Sequence, residues 1–263
     1  MQIPYIAKSK TFITSGATKD EHGKERQLPG VHNYWAKDTK QLLHQSLTTQ
    51  PPDWHYRKQP VTYTVNSLGY RAPEFDQVDW KNSVVIFGCS NTFGDGVDDS
   101  ETISAQLSNI IGKPVINMGS GASSQEFSLH NNIILKEHYG TPLAVVNYWT
   151  SIYRYTMYNN TPIPAKLSTN DYQKFDYKTC WFQEGNPETR TYFINLLAKH
   201  IWKNDTIYYD TTWCIDTHHL TGCDFMDGTG IDLAREMSHP GPKDNKHIAT
   251  RIANNLAQRG LKF

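Results

Sequence analysis

The chain has 263 residues, and its 26 Lys and Arg offset 26 Asp and Glu, for a formal net charge of 0. That balance removes the electrostatic case for a nucleic-acid partner or an anionic membrane surface. No apolar run approaches the roughly 20 residues that span a bilayer, and the opening MQIPYIAKSKTF lacks the charged-then-apolar order of a secretory signal. The expectation is a protein with no membrane partner, cytoplasmic or virion-associated.

Residues 1–60 are polar, carry Pro51, Pro52 and Pro60, and show little periodicity. They read as an irregular arm anchored by single aromatics such as Trp35 and Trp54. From residue 61 to 263 the pattern is that of one domain. Val61–Val65 alternates like a half-exposed strand, and Asn66–Arg71 (NSLGYR) reads as a turn. The apolar run Val84–Phe87 stops at Gly88 and predicts a buried strand. Glu101–Ile111 places Ile103, Leu107, Ile110 and Ile111 at a helical period, and Gly112 ends it.

Pro114–Met118 predicts a second strand of this core, Ser124–His138 a second helix, and Leu143–Tyr148 a third strand. An insertion at about 151–186 is rich in Tyr, Asn, Thr and Pro. Its aromatics (Tyr153, Tyr155, Tyr158, Tyr172, Tyr177, Trp181 and Phe182), with Asn159, Asn160 and Asn170, suit either sugar rings or packing within the loop itself. Thr189–Lys203 predicts a helix with Phe193, Leu196, Leu197 and Ile201 in register, and Thr206–Trp213 a fourth strand. A loop over Cys214–Gly241 leads to a last helix from Pro242, where proline fits the first turn. Strands alternating with helices imply an α/β fold: a three-layer α/β/α sandwich around a mostly parallel sheet of about five strands.

Ser90 sits just past the first of these core strands, at the sheet edge where α/β folds collect ligands and chemistry. A serine nucleophile needs a base, an acid to orient the base, and donors for the oxyanion. Among 11 histidines, His239 stands out because it follows the last strand, with Glu236 three residues and Asp232 seven residues before it. Oxyanion donors are available from the Ser90 N–H and from the Gly119–Ser123 loop (GSGAS) after the neighbouring strand. Four cysteines do not make a disulfide scaffold. Cys214, His218, His219 and Cys223 carry four tetrahedral donors without a two-residue knuckle, so the expectation is two thiols and two loop histidines, with no metal or cofactor.

Together these blocks resemble the SGNH (GDSL-type) hydrolase superfamily over about residues 61–259. Gly88-Cys89-Ser90-Asn91-Thr92-Phe93-Gly94 is similar to its GDSxTxG block, Asn117–Gly121 to its second block, and Glu236-Met237-Ser238-His239 to its D-x-x-H block. Asn66–Arg71 is similar to a segment that precedes the serine block in many bacterial and phage-borne members. The resemblance implies a flavodoxin-like fold, Ser90 as nucleophile, His239 as base, and Glu236 or Asp232 as acid. It implies Gly121, or alternatively Gly119, as an oxyanion donor.

Three positions depart from the pattern. Cys89 replaces the aspartate before the serine, and a glutamate replaces the acid. Where the G-x-N-D block supplies an oxyanion asparagine, the chain reads Asn147–Ser151 (NYWTS) followed by Arg154, leaving Thr150, Ser151 or Arg154 for that place. The implied activity is hydrolysis of a carboxylic ester, foremost O-acetyl groups on a carbohydrate. The alternatives are a weakened carbohydrate-binding or virion structural protein on the same fold, or an O-acyltransferase.

Overall fold

The structure is a computed structural model that describes residues 10–15, 24, 26–157, 165–167, 186–226 and 230–263. Its centre is a five-stranded parallel sheet of β3 (Val84–Gly88), β4 (Val115–Gly119), β5 (Ala144–Trp149), β8 (Ile207–Thr212) and β9 (Asp224–Phe225). The spatial order is β4-β3-β5-β8-β9. Counting only these strands in sequence, that order is 2-1-3-4-5, the flavodoxin-like arrangement, which reverses direction between its first and third strands. Ser90 follows the first of them. The fold is the three-layer α/β sandwich expected.

Both faces of β3 are covered, which is why its sequence is continuously apolar instead of alternating. Val84 and Ile86 join Ile103, Leu107, Tyr209, Ile248 and Ile252 on one side, where α3 (Ile103–Ile111) and α7 (Pro242–Gln258) pack. Val85 and Phe87 join Phe127, Ile134, Leu135 and Trp202 on the other, where α4 (Gln125–Ile134) and α5 (Pro187–Trp202) pack. Thr102 caps α3 by accepting from Ala105 N–H at 3.1 Å, and Gly112 ends it in the left-handed conformation.

Three differences from the sequence reading have physical causes. Residues before 61 contribute β1 (Gly30–His32), antiparallel to β2 (Tyr63–Val65), and α1 (Lys40–Thr49), capped by the Thr39 hydroxyl. Phe12 and Ile13 sit in the core beside Phe87, and Trp35 packs with Tyr63 and Phe93. On α5, Phe193, Leu196 and Leu197 are about half exposed, and the buried face is Thr191, Ile194, Asn195, Ala198 and Trp202. On that face Asn195 donates to the Thr191 carbonyl, and the Trp202 indole donates to Asn132 on α4 at 2.7 Å. Finally, the expected Cys214–Gly241 loop holds α6 (Ile215–Thr221) and β9, whose two residues are too short for any periodicity. The insertion after β5 contributes β6 (Tyr155–Met157) and β7 (Ala165–Leu167), an antiparallel pair. Among the described residues, no helix is long and apolar enough to cross a membrane.

Candidate active site

The chain leaves β3 at Gly88, passes through extended Cys89 and turns at once into α2 (Ser90–Phe93), a single helical turn with Ser90 first. Phe93 N–H donates to the Cys89 carbonyl at 2.9 Å, and Gly94 N–H to the Ser90 carbonyl at 2.8 Å. This tight exit depends on the neighbouring strand. A Cβ at Gly119 would overlap the Phe93 amide nitrogen, and the Asn117 side chain donates to the Thr92 carbonyl at 2.9 Å. Arg71, the last residue of the NSLGYR turn, closes the other end of α2. Its guanidinium donates to the carbonyls of Gly94 (2.6 Å), Val97 (3.0 Å) and Thr62 (2.6 Å) and pairs with Asp99. Ser90 is thereby fixed on a rigid turn at the carboxyl edge of the sheet.

His239 comes from the segment between β9 and α7. Its Nε2 lies 2.8 Å from Ser90 Oγ, and its Nδ1 lies 2.8 Å from Glu236 Oε1. The carboxylate fixes the proton on Nδ1, which leaves Nε2 to accept from the serine hydroxyl. Glu236 is itself closed in. Its Oε1 also accepts from the backbone N–H of His239 (2.8 Å) and Ser238 (3.2 Å), and its Oε2 accepts from the Ser238 hydroxyl. Burial would raise the Glu236 pKa, but these donors and the imidazole hold it below its ordinary value. For His239, burial lowers the pKa, and this is outweighed by the Glu236 hydrogen bond and the negative charges of Asp95 and Glu236, so the net shift is upward. A hydroxyl, an imidazole and a carboxylate in this order can move a proton off the serine as it attacks an acyl carbon.

Asp232, the alternative acid, is elsewhere. Its two carboxylate oxygens accept from Asp244 N–H (3.0 Å) and Lys243 N–H (3.1 Å), capping the first turn of α7, where a negative charge is favoured. Gly119, the alternative oxyanion donor, spends its N–H on Asn117 Oδ1 at 2.9 Å. Gly121 follows β4, and a Cβ there would lie 3.8 Å from Asp95 Oδ2. Thr150 is buried, its carbonyl taken by Gln125 and Thr217, and the Ser151 hydroxyl accepts from Tyr153 N–H in a local turn. Of the three candidates after β5, Arg154 lines the pocket that contains Ser90 and His239. That pocket has a volume of about 380 Å³, and Tyr148, Trp213, Lys37 and Asp244 also border it.

Cys214 and Cys223 are free thiols, and His218 Nδ1 is engaged with the Cys223 carbonyl at 2.7 Å. The described residues contain no cluster suited to a metal ion. Tyr155 is buried under the Arg190 guanidinium, 3.6 Å from its ring centre, and Tyr153 is exposed. The other aromatics and asparagines singled out in the insertion lie outside the described residues.

Sequence reasoning did not mark Asp95 or Ser238. Asp95 is fully buried, its Oδ1 has no hydrogen-bond partner, and burial together with Glu236 and Asp38 pushes its pKa up to about 6 against the opposing charges of His239 and Arg71. The signal for Asp95 was its place one residue past the serine turn, between Gly94 and Gly96. Nothing in a lone sequence showed that its side chain turns inward.

Neither a family model nor a curated protein sequence matches the chain. Solved structures are similar to it at low identity. A member of the lipolytic protein G-D-S-L family from Veillonella parvula is 13% identical, with a TM-score of 0.42 over 65% of this chain and 96% of that one. A carbohydrate esterase family 2 enzyme with a carbohydrate-binding domain, from Corynascus thermopiles (Myceliophthora fergusii), is 13% identical, with a TM-score of 0.44 over 68% and 66%. The acetyl xylan esterase Est2A from Butyrivibrio proteoclasticus is 11% identical, with a TM-score of 0.42 over 69% and 64%.

Proposed function

We propose that this chain is a serine hydrolase of the SGNH type that cleaves a carboxylic ester, foremost an O-acetyl group on a carbohydrate. The observation that carries the reading is the unbroken chain from Ser90 Oγ through His239 to Glu236, with both hydrogen bonds at 2.8 Å. Ser90 attacks the acyl carbon while His239 Nε2 takes its proton, and Glu236 stabilises the imidazolium that forms. The donors assigned to the developing oxyanion in this reading are the N–H groups of Ser90 and Gly121. His239 then gives its proton to the leaving alcohol, and water, activated by the same imidazole, releases the acid from the acyl-enzyme. A pocket of about 380 Å³ with Tyr148 and Trp213 in its wall suits a small acyl group on a ring-shaped alcohol.

The test is hydrolysis of p-nitrophenyl acetate and of acetylated oligosaccharides, paired with fluorophosphonate labelling. Turnover and labelling that both vanish in Ser90→Ala support the assignment. A protein that binds the sugars, turns over no ester and resists labelling is the non-catalytic alternative. Acetyl transfer to an added acceptor sugar, in place of acetate release, identifies an acyltransferase working through the same intermediate.

A further inference from the structure

We propose that Arg154 is an oxyanion donor of this site, filling the place for which the third sequence block offers no asparagine. The proposal rests on the esterase reading above and adds a catalytic residue to it. Thr150 and Ser151 do not border the Ser90 pocket, so among the described residues that follow β5 up to residue 157 Arg154 is the one that lines it.

Arg154 is held in place by its backbone. Its N–H donates to the Ser151 carbonyl at 3.3 Å, and the carbonyls of Ile152 and Arg154 accept from Arg190 at 2.6 and 3.3 Å. Arg190 is anchored in turn by Glu126 at 2.9 Å and by the Tyr155 ring. The Arg154 guanidinium lies against Trp213, 5.6 Å from the ring centre. Its Nη1 is shielded from solvent and has no hydrogen-bond partner, and among the described residues no carboxylate pairs with it. Its charge reaches the base of the nucleophile. Burial alone would raise the Cys89 thiol, yet Arg154 is the largest influence drawing it down, and Cys89 adjoins Ser90.

A half-buried guanidinium whose Nη1 is shielded and unpartnered is under-satisfied in the resting protein. Negative charge on the substrate oxygen supplies the missing partner only when the tetrahedral intermediate forms. An interaction made in the transition state and absent in the ground state raises kcat, whereas uniform binding does not.

Kinetics on the full chain with a neutral ester, p-nitrophenyl acetate, test this. In Arg154→Ala, kcat falls about a hundredfold or more while KM stays within about threefold, and the rate of Ser90 labelling by an uncharged fluorophosphonate falls in parallel. Arg154→Lys recovers part of the loss and Arg154→Gln less. These two variants keep the aliphatic stem against Trp213 and carry the comparison if the alanine variant fails to fold. An unchanged kcat on the neutral ester in all three overturns the proposal, as does a defect confined to the KM of anionic esters. A wild-type chain that neither hydrolyses esters nor labels at Ser90 overturns the esterase reading and this inference with it. An active wild type with indifferent Arg154 variants overturns the inference alone.

Discussion

Asp95 offers the sharpest test of the electrostatics beneath the site. Its carboxyl is fully buried and its pKa is raised from an ordinary 3.8 to about 6, first by desolvation and then by the balance of surrounding charges. Asp38 has its own buried partner in Arg235, at 2.7 Å, and Arg71 is shared between Asp99 and four carbonyls. Among the described residues, no cation pairs with Asp95 in this way. Because the folded state holds this proton more tightly than the unfolded chain, stability falls as pH rises from 3.8 and the loss is complete above about 6. At 1.36 kcal/mol per pH unit, the interval amounts to about 3 kcal/mol. Asp95→Asn keeps the shape and cannot ionise, so it escapes that loss.

Urea unfolding of both proteins across about pH 4 to pH 8 therefore has a defined outcome. Any constant cost of placing an amide at this position appears at every pH. The variant's stability relative to wild type improves by about 3 kcal/mol between the two ends, with the change concentrated between pH 4 and 6. A difference that stays flat with pH would refute the claim that Asp95 is ionised at a cost in the native state.

Other consequences follow from the same neighbourhood. The raised His239 pKa means that kcat/KM on an acetyl ester climbs along an acid limb centred above the ordinary 6.5, since only the neutral imidazole accepts the serine proton. In Asp95→Asn the limb moves to lower pH, and a midpoint below 6.5 in wild type would count against the assignment. Ser238→Ala removes the donor to Glu236 Oε2 while Oε1 keeps its three donors; kcat falls about tenfold with KM unchanged, and equal kcat in the two proteins would remove Ser238 from any positioning role. Arg235→Met leaves the Asp38 carboxylate buried without its cation and lowers the unfolding free energy by about 3–5 kcal/mol; a loss under about 1 kcal/mol in urea titration would contradict the pairing.

The sequence carried the sheet because its strands obey simple rules. Val84–Phe87 is apolar on both faces, and the helix positions Ile103 and Leu107 pack where their spacing places them. Ser90 was legible as the residue after a strand that ends in glycine, and His239 as a histidine with an acid three residues upstream. What stayed hidden depends on partners distant in sequence. The Asp38–Arg235 pair joins residues 197 positions apart and ties the early segment to the acid loop. On α5 the inward face uses Thr191 and Asn195, so the hydrophobic period pointed to the wrong side. Asp232 and Glu236 were equivalent as acids until the start of α7 appeared, where Asp232 is consumed as its cap.

The way Glu236 reaches His239 follows from its loop. Glu236 is one methylene longer than aspartate, so reaching the imidazole three residues later requires the chain to fold back on itself. Met237 makes that reversal at φ +64°, a conformation costly for most side chains. The loop is closed by Ala234 N–H on the His239 carbonyl at 2.9 Å and Met237 N–H on the Ala234 carbonyl at 2.9 Å. Gly96 lets the loop seat: its φ is +79°, and a Cβ there would lie 2.8 Å from the Ala234 methyl and 2.9 Å from Glu236 Cγ. Arg235 N–H then donates to the Gly96 carbonyl at 2.8 Å, joining the acid loop to the serine turn. The Glu236 carboxylate is held by its own sequence neighbours, and its loop docks on the segment that follows Ser90. Ser90, His239 and Glu236 are therefore held by hydrogen-bonded backbone on two docked loops, even though Ser90 and His239 are 149 residues apart.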